Sequence, residues 1–310
     1  FDDIKYFKRI SNSSVVSKNL KDLKIRYKDE KDPPNNHFKF LKQYLTLNYA
    51  EIFFADKVIL FEGETESILL PAMLKKIDEE TPSSTELPML SQNISLIASG
   101  AYSQIFDKFL EFVGIKTLII TDLDSGKETQ IVDKNGHSRT VTVAHPVDGG
   151  TLTTNDALLH YYKTPLSKYS GGNQLDFFTN LSKENKILRN NAGCWESDPN
   201  GTLMIVFQTK EKDDYYPRSF EDAFIQINRD FMIAHQDTFE SLKNRDKFDE
   251  KDASGKYMHD AYDLATTCVK NKSSFALDIL LNSEANETCT FSNWKIPPYI
   301  EEGLLWLRKN

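Results

Sequence analysis

The chain has 310 residues, 39% of them hydrophobic and 27% charged, which is the balance of a folded globular protein long enough for a substantial core and two lobes. No run of about 20 apolar residues occurs, so no membrane-spanning helix is expected. The formal net charge of −8 argues against strong charge-driven affinity for nucleic acid, although acidic residues that hold metal ions are neutralised by them.

The chain opens Phe1-Asp2-Asp3-Ile4-Lys5, with neither an initiator Met nor a signal-peptide pattern, and reads as a piece cut from a longer protein. Lys21, Lys24, Arg26 and Lys28 form a basic cluster that a solvated helix face explains more simply than a nucleic-acid contact. Residues 28–36, charged and with two prolines, predict a loop. Apolar residues from Phe38 to Phe54 recur at helical spacing. An α/β portion follows, with a strand over 57–61, a helix over 65–78, a loop over 79–92, a strand over 94–98, a helix over 102–113 and a strand over 116–121. Pro71 should kink the first of these helices or sit where a backbone donor is dispensable. Residues 125–150 are punctuated by Gly and Asp around a short strand or hairpin at 138–143, and helical spacing returns near 155–163. Irregular text runs on to Asn200, before the apolar strand 202–207. Ser219 to Ala234 predicts one amphipathic helix with Ser219 as N-cap. Residues 237–267 read as charged helix and loop, and helices over 273–282 and 299–308 close the chain. Cys194, Cys268 and Cys289 lack metal-type spacing and leave an odd thiol, which favours a reducing cytoplasm.

Two of the apolar strands stop in clustered acids. Strand 57–61 runs into Glu62-Gly63-Glu64-Thr65-Glu66, and strand 116–121 into Asp122-Leu123-Asp124-Ser125. The C-terminal ends of parallel strands are where an open α/β sheet places its ligands. Carboxylates converging there repel one another and lose hydration unless a cation lies between them. Oxygen-only ligands suit Mg²⁺, Mn²⁺ or Ca²⁺ rather than zinc. Glu62 and Glu66 can face one site across a turn that Gly63 permits, or Glu66 can simply complement a helix N-terminus. Glu64 is expected to face solvent. Asp122 and Asp124, alternating about Leu123, project from one face if the backbone is extended; a capped polar turn is the alternative. Ser125 can meet a metal-bound water or only cap a turn. Gly100 either lets a phosphate approach the backbone or makes a turn. The six histidines form no ligand pattern, and no phosphate-binding G-x-x-x-x-G-K-[ST] loop is present.

The order E-G-x-x-E, a Gly-led turn after the next strand, then D-x-D resembles the TOPRIM fold of primases, topoisomerases and overcoming-lysogenization-defect (OLD) nucleases. The stretch from Asn48 to Gly63 is similar to the lead-in that OLD nucleases use between their ATPase and TOPRIM regions. Lys272-Ser273-Ser274-Phe275-Ala276-Leu277 and Ile296-Pro297-Pro298-Tyr299-Ile300 look like that family's last helices. The resemblance, spanning roughly residues 37–310, implies an open, mainly parallel TOPRIM-like sheet flanked by helices, with an additional helical lobe. It divides the chain into 1–50, the tail of a missing upstream region with a linker helix; 51–150, the first part of the TOPRIM core; 151–200, an insertion; and 201–310, the TOPRIM remainder with C-terminal helices.

For function, the resemblance implies a DNA endonuclease or nickase using two Mg²⁺ or Mn²⁺ ions, with Ca²⁺ as an ion that binds without supporting full activity. Asp122 and Asp124 would hold one ion and Glu66 and Glu221 the other. Glu62 would be a shared ligand or general acid/base, and Lys272 would offset phosphate charge. Glu221 and Lys272 come from the resemblance more than from pattern; otherwise the first is an acid favoured by a helix N-terminus and the second a surface lysine. DNA, an upstream ABC-type ATPase domain, a role in phage defence and room for a homo-oligomer follow from the same likeness, with no membrane association. Two other readings stay open: a primase- or topoisomerase-type TOPRIM domain, and a noncatalytic binding or dimerisation module whose acids hold a structural ion.

Overall fold

The computed structural model describes residues 4–309 apart from 12, 28–35, 84, 133, 135, 212 and 213. Lys28 and nearly all of the loop expected over 28–36 lie outside the described residues. Of the rest of the basic cluster, Lys21 and Lys24 are exposed and Arg26 pairs with Glu111 at 3.3 Å.

The first strands, β1 (Lys5–Ser11) and β2 (Ser14–Asn19), form an antiparallel hairpin, followed by α1 (Leu23–Arg26) and α2 (Asn36–Asn48). Then come β3 (Lys57–Phe61), α3 (Glu64–Glu80), β4 (Ile94–Ala98), α4 (Asp107–Val113) and β5 (Lys116–Ile120). A small sheet is made by β6 (Ser125–Val132), β7 (Ser138–Ala144) and β8 (Leu152–Thr153). Next are α5 (Asp156–Tyr161), α6 (Lys163–Ser167), α7 (Gln174–Thr179), β9 (Ile187–Asn191), β10 (Cys194–Ser197) and β11 (Leu203–Val206). The chain closes with α8 (Phe220–Ile227), α9 (Arg229–Ala234), α10 (Ala261–Cys268), α11 (Lys272–Leu281) and α12 (Pro298–Arg308).

The central sheet has the order β10-β9-β11-β5-β3-β4. Its β11, β5, β3 and β4 strands are mutually parallel, and β9 and β10 add antiparallel to one side. Phe61 and Val206 both pair with Ile120, so β3, β5 and β11 end level with one another. Alternate residues of these strands enter two separate cores. Ile59, Phe61, Leu118, Ile120, Met204 and Val206 pack with α3 and α8–α12. Val58, Leu60, Ile119, Leu203 and Ile205 pack with α2, α4 and α5–α7. Burial on both faces is why the runs read as continuously apolar. Each such side chain contributes roughly 1.5–3 kcal/mol when withdrawn from water.

Several local departures have identifiable causes. Helix α3 runs unbroken through Pro71, which removes a donor without ending the helix. The expected helix over 219–234 breaks at Asn228, whose side chain donates to the Lys295 carbonyl at 2.9 Å and accepts from the Lys295 amide at 2.7 Å. That tertiary link outweighs the continuous apolar spacing. Residues 102–113 begin as a 3₁₀ turn and become α-helical only from Asp107. Strands β9 and β10, in text that looked irregular, are joined at Ala192 and Gly193, whose φ values of 52° and 91° suit a tight hairpin turn.

At the opposite end of the sheet from the acidic motifs, Lys57 and Lys116 are direct register partners. Their like charges are separated by the end of α12. Lys57 donates to the carbonyls of Arg308 and Lys309 at 3.0 and 3.1 Å, and Lys116 to those of Trp306 and Lys309 at 3.0 and 2.6 Å. Cations at a helix C-terminus satisfy its last carbonyls and its dipole. Lys8 and Lys18 of the hairpin do the same for α4, donating to the carbonyls of Gly114 and Phe112.

Burial, followed by repulsion from Lys57 and Lys309, pushes the Lys116 ammonium down to about 8 from an ordinary 10.5. The unfolded chain therefore holds the additional proton across that interval, and stability contributed at Lys116 rises as pH climbs through it. The urea midpoint of wild type relative to Lys116→Met should accordingly move in favour of wild type between about pH 7.5 and about pH 9.5. An unchanged difference would show that burial and repulsion do not disfavour the Lys116 ammonium.

Candidate metal centre

The acids gather where β3, β5 and β11 end. Glu62 directly follows β3. Its Oε1 accepts from Thr121 Oγ1 at 2.5 Å and from Asn155 Nδ2 at 3.0 Å. Asn155 also caps α5 by accepting from the Leu158 amide, and donates to Thr121 Oγ1 and the Asp122 carbonyl. Burial nevertheless outweighs these bonds and raises the Glu62 carboxyl above its ordinary value.

Glu66, in the first turn of α3, is 3% exposed. Burial and then repulsion by Glu221 push its pKa up to about 7. Gly63 has φ −102° and ψ 161°, which any residue adopts, so the need for glycine is not conformational. A Cβ at position 63 would lie 2.2 Å from Glu66 Oε2, and the missing side chain is what lets that carboxylate turn back over the loop. Gly100, by contrast, has φ 56° with open space where a Cβ would stand, and serves a left-handed turn.

Asp122 accepts from Gln208 Nε2 at 2.6 Å. The Gln208 amide is oriented by the Leu123 backbone N–H donating to its Oε1, and it also donates to the Tyr299 hydroxyl. Burial, with Glu66 and Glu221 behind it, raises Asp122 well above the carboxylate range. Glu221, in the first turn of α8 and 4% exposed, accepts from Lys272 Nζ at 2.8 Å, Thr65 Oγ1 at 3.2 Å and Ser219 Oγ at 3.3 Å. The Lys272 side chain is 60% exposed along its length, yet its ammonium end lies against buried acids. Burial of that end lowers its pKa, but Glu221, Asp122 and Glu66 together outweigh it and leave the lysine raised.

The extended backbone expected through Asp122-Leu123-Asp124 does not occur. Asp124 has φ 48° and follows the wholly buried Leu123. It pairs with Arg218 at 2.9 Å, while Asp122 turns to Gln208. The buried Ser125 hydroxyl donates to the Pro146 carbonyl at 3.3 Å. Glu64 is exposed, as its position suggested, and accepts from the Ser273 hydroxyl. The structure thus brings Glu62, Glu66, Asp122, Glu221 and Lys272 into one electrostatic group, with Asp124 acting on Glu62 and Asp122 through space. Asn155, Gln208, Thr121 and Arg218 complete it. Gln208 was within reach of sequence reasoning, because it follows a core strand just as Glu62 does; nothing local marks Asn155 or Arg218.

Among the described residues, no three His, Cys, Asp or Glu side chains are gathered closely enough to hold a metal ion as they stand. Glu62, Asp122, Asp124 and Glu221 are instead engaged by protein donors. The chemistry of the donor set still fits a hard divalent cation. Every candidate ligand is a carboxylate oxygen, and burial, with neighbouring carboxylates adding to it, raises the pKa values of Glu62, Glu66 and Asp122.

The open, mostly parallel sheet with acids at the ends of neighbouring strands agrees with a TOPRIM-like fold, and residues 53–124 match the family described as overcoming lysogenization defect protein-like, TOPRIM domain. Over those residues the chain is similar to the TOPRIM domain of OLD proteins. Along its whole length it is 27% identical, over 314 aligned residues, to Endonuclease GajA of Bacillus cereus (strain HuB5-5), and it spans 40% of that relative's length. Among solved structures it is similar to the C-terminal region of the Burkholderia pseudomallei OLD protein, at 17% identity and a TM-score of 0.39, covering 82% of this chain and 98% of that one. The C-terminal region of the Xanthomonas campestris pv. campestris OLD protein is similar at 16% identity and a TM-score of 0.40, covering 83% and 94%.

A carboxyl whose folded pKa lies above its unfolded one has its stabilising contribution at low pH and loses it as pH rises, here from about 4.5 through about 7. Glu66→Gln removes that loss. In EDTA the variant should melt roughly 2–6 °C above wild type at about pH 8 and close to it at about pH 5. It should also gain less from added Mg²⁺ or Mn²⁺. Equal melting at both pH values would show that Glu66 carries no such strain.

Proposed function

We propose that the chain is the nuclease region of a larger protein that hydrolyses DNA phosphodiester bonds with two divalent cations, Mg²⁺ or Mn²⁺. The observation that carries this reading is the group of buried, mutually repelling carboxyls at the strand ends of a sheet similar to the TOPRIM domain of OLD proteins, with Lys272 among them. Bound ions of this kind activate the attacking water and stabilise the leaving 3′-oxygen. Asp122 and Asp124 would hold one ion and Glu66 and Glu221 the other. Glu62, whose carboxylate accepts from Thr121 and Asn155, would be a shared ligand or a general acid/base. The Lys272 ammonium, on an exposed stem, offsets charge developing on the phosphate.

Because the chain spans 40% of its curated relative, the partners of the whole protein belong to the same proposal. They are an upstream ABC-type ATPase domain, a homo-oligomeric assembly and, in the cytoplasm, a role in phage defence. No helix among the described residues is long and apolar enough to cross a membrane. A noncatalytic binding module is the second reading, favoured by carboxylates that already satisfy themselves with protein donors.

Nicking of supercoiled plasmid decides between them. Mg²⁺ or Mn²⁺ should support it, EDTA should abolish it, and Zn²⁺ should be a poor substitute for an all-oxygen site. Asp122→Ala should remove activity while the protein stays folded. Lys272→Ala should lower kcat on the order of 100-fold, far more than it weakens DNA binding, with Lys272→Arg rescuing in part. Full activity in Asp122→Ala would sink the site; no nicking with any ion would favour the binding module.

A further inference from the structure

We propose that Arg218 is a phosphate contact held in reserve on Asp124, and that a divalent cation taking Asp124 releases it to the substrate; this rests on the nuclease reading above. The two cationic side chains at the acidic group are anchored differently. Lys272 lies among Glu221, Asp122 and Glu66. Arg218 instead pairs with Asp124 at 2.9 Å, and both side chains are partly exposed, at 21% and 31%.

The base of the arginine is fixed while its head has exchangeable partners. Its backbone amide donates to Asp222 at 2.7 Å, and its carbonyl accepts from the Asp124 amide at 3.2 Å. The Asp124 carbonyl is held in turn by the Thr154 amide and hydroxyl, at 3.1 and 3.2 Å. These bonds maintain the left-handed Asp124 whatever its carboxylate does. The guanidinium itself makes the 2.9 Å ion pair through Nη2 and a 3.0 Å bond from Nε to the Ser125 carbonyl. A cation on Asp124 cancels the attraction that holds Nη2 and repels the guanidinium. The freed planar fork, still tethered beside the ion, matches a phosphate in bidentate geometry, which a lysine does not.

Arg218 therefore competes with the metal in the free protein and cooperates with it on DNA. A residue that only braced the loop would weaken both. Calcium binding by calorimetry and binding of a short duplex by fluorescence anisotropy, in Ca²⁺ or EDTA across a salt series, separate these cases. Arg218→Gln should bind Ca²⁺ about fivefold more tightly, the size expected for removing a partly exposed ion-pair partner. In Ca²⁺ it should bind DNA about tenfold more weakly, with the salt slope reduced by about one. In EDTA its DNA affinity and slope should equal those of wild type. Arg218→Lys, which keeps the charge, should retain the slope and lose part of the affinity. Weaker Ca²⁺ binding by Arg218→Gln, or an equal DNA defect in EDTA, overturns the proposal. A wild-type protein that binds Ca²⁺ but no DNA overturns the nuclease reading and the phosphate role together, whereas metal-dependent DNA binding left intact by Arg218→Gln overturns Arg218 alone.

Discussion

Buried negative charge that the protein only partly neutralises is the constraint from which the rest of the structure follows. Glu66, Asp122 and Glu221 lie close enough to perturb one another, and Lys272 answers them with a single ammonium. Such an assembly needs rigid delivery, since a loop would relax and let the acids reach water. Delivery comes from β3, β5 and β11, which end level and are clamped between two cores. It also needs donors that tolerate burial without bringing further charge. Thr121, Asn155 and Gln208 supply these, with Tyr299 behind them.

The distribution of charge along the sheet explains why net charge is a weak guide here. Acids crowd the C-terminal ends of the parallel strands, while Lys57 and Lys116 stand at the N-terminal ends against the last carbonyls of α12. The two ends carry opposite charge, and locally each is a strong field in low-dielectric surroundings. The formal value of −8 records neither.

The parallel core was legible in the sequence because two-sided burial leaves continuous apolar runs, and 57–61, 94–98 and 116–120 sit where those runs do. Glu62, Asp122 and their neighbours were legible because position at a strand end carries chemical meaning. What stayed hidden depends on contacts far along the chain. Asn228 interrupts a good helical pattern through a bond to residue 295, and Asn155 enters the site from beyond a hairpin. The left-handed Asp124 overturns the extended geometry because the chain leaves the sheet there for β6, with residues 154 and 218 holding the bend. Strands β9 and β10 are too short for alternation to show, although their Asn-Ala-Gly turn was a visible signal.

Gly63 and Glu66 are bound together in a way that reaches beyond this one chain. The glycine is required only because a long carboxylate folds back over it, so the two positions share one constraint. A descendant that lost the acid at 66 would be released from glycine at 63, and one that gained a side chain at 63 could not keep the acid where it is. A side chain gained at 63 should therefore be felt first at the Glu66 carboxylate, and a change at either position should alter what the other tolerates.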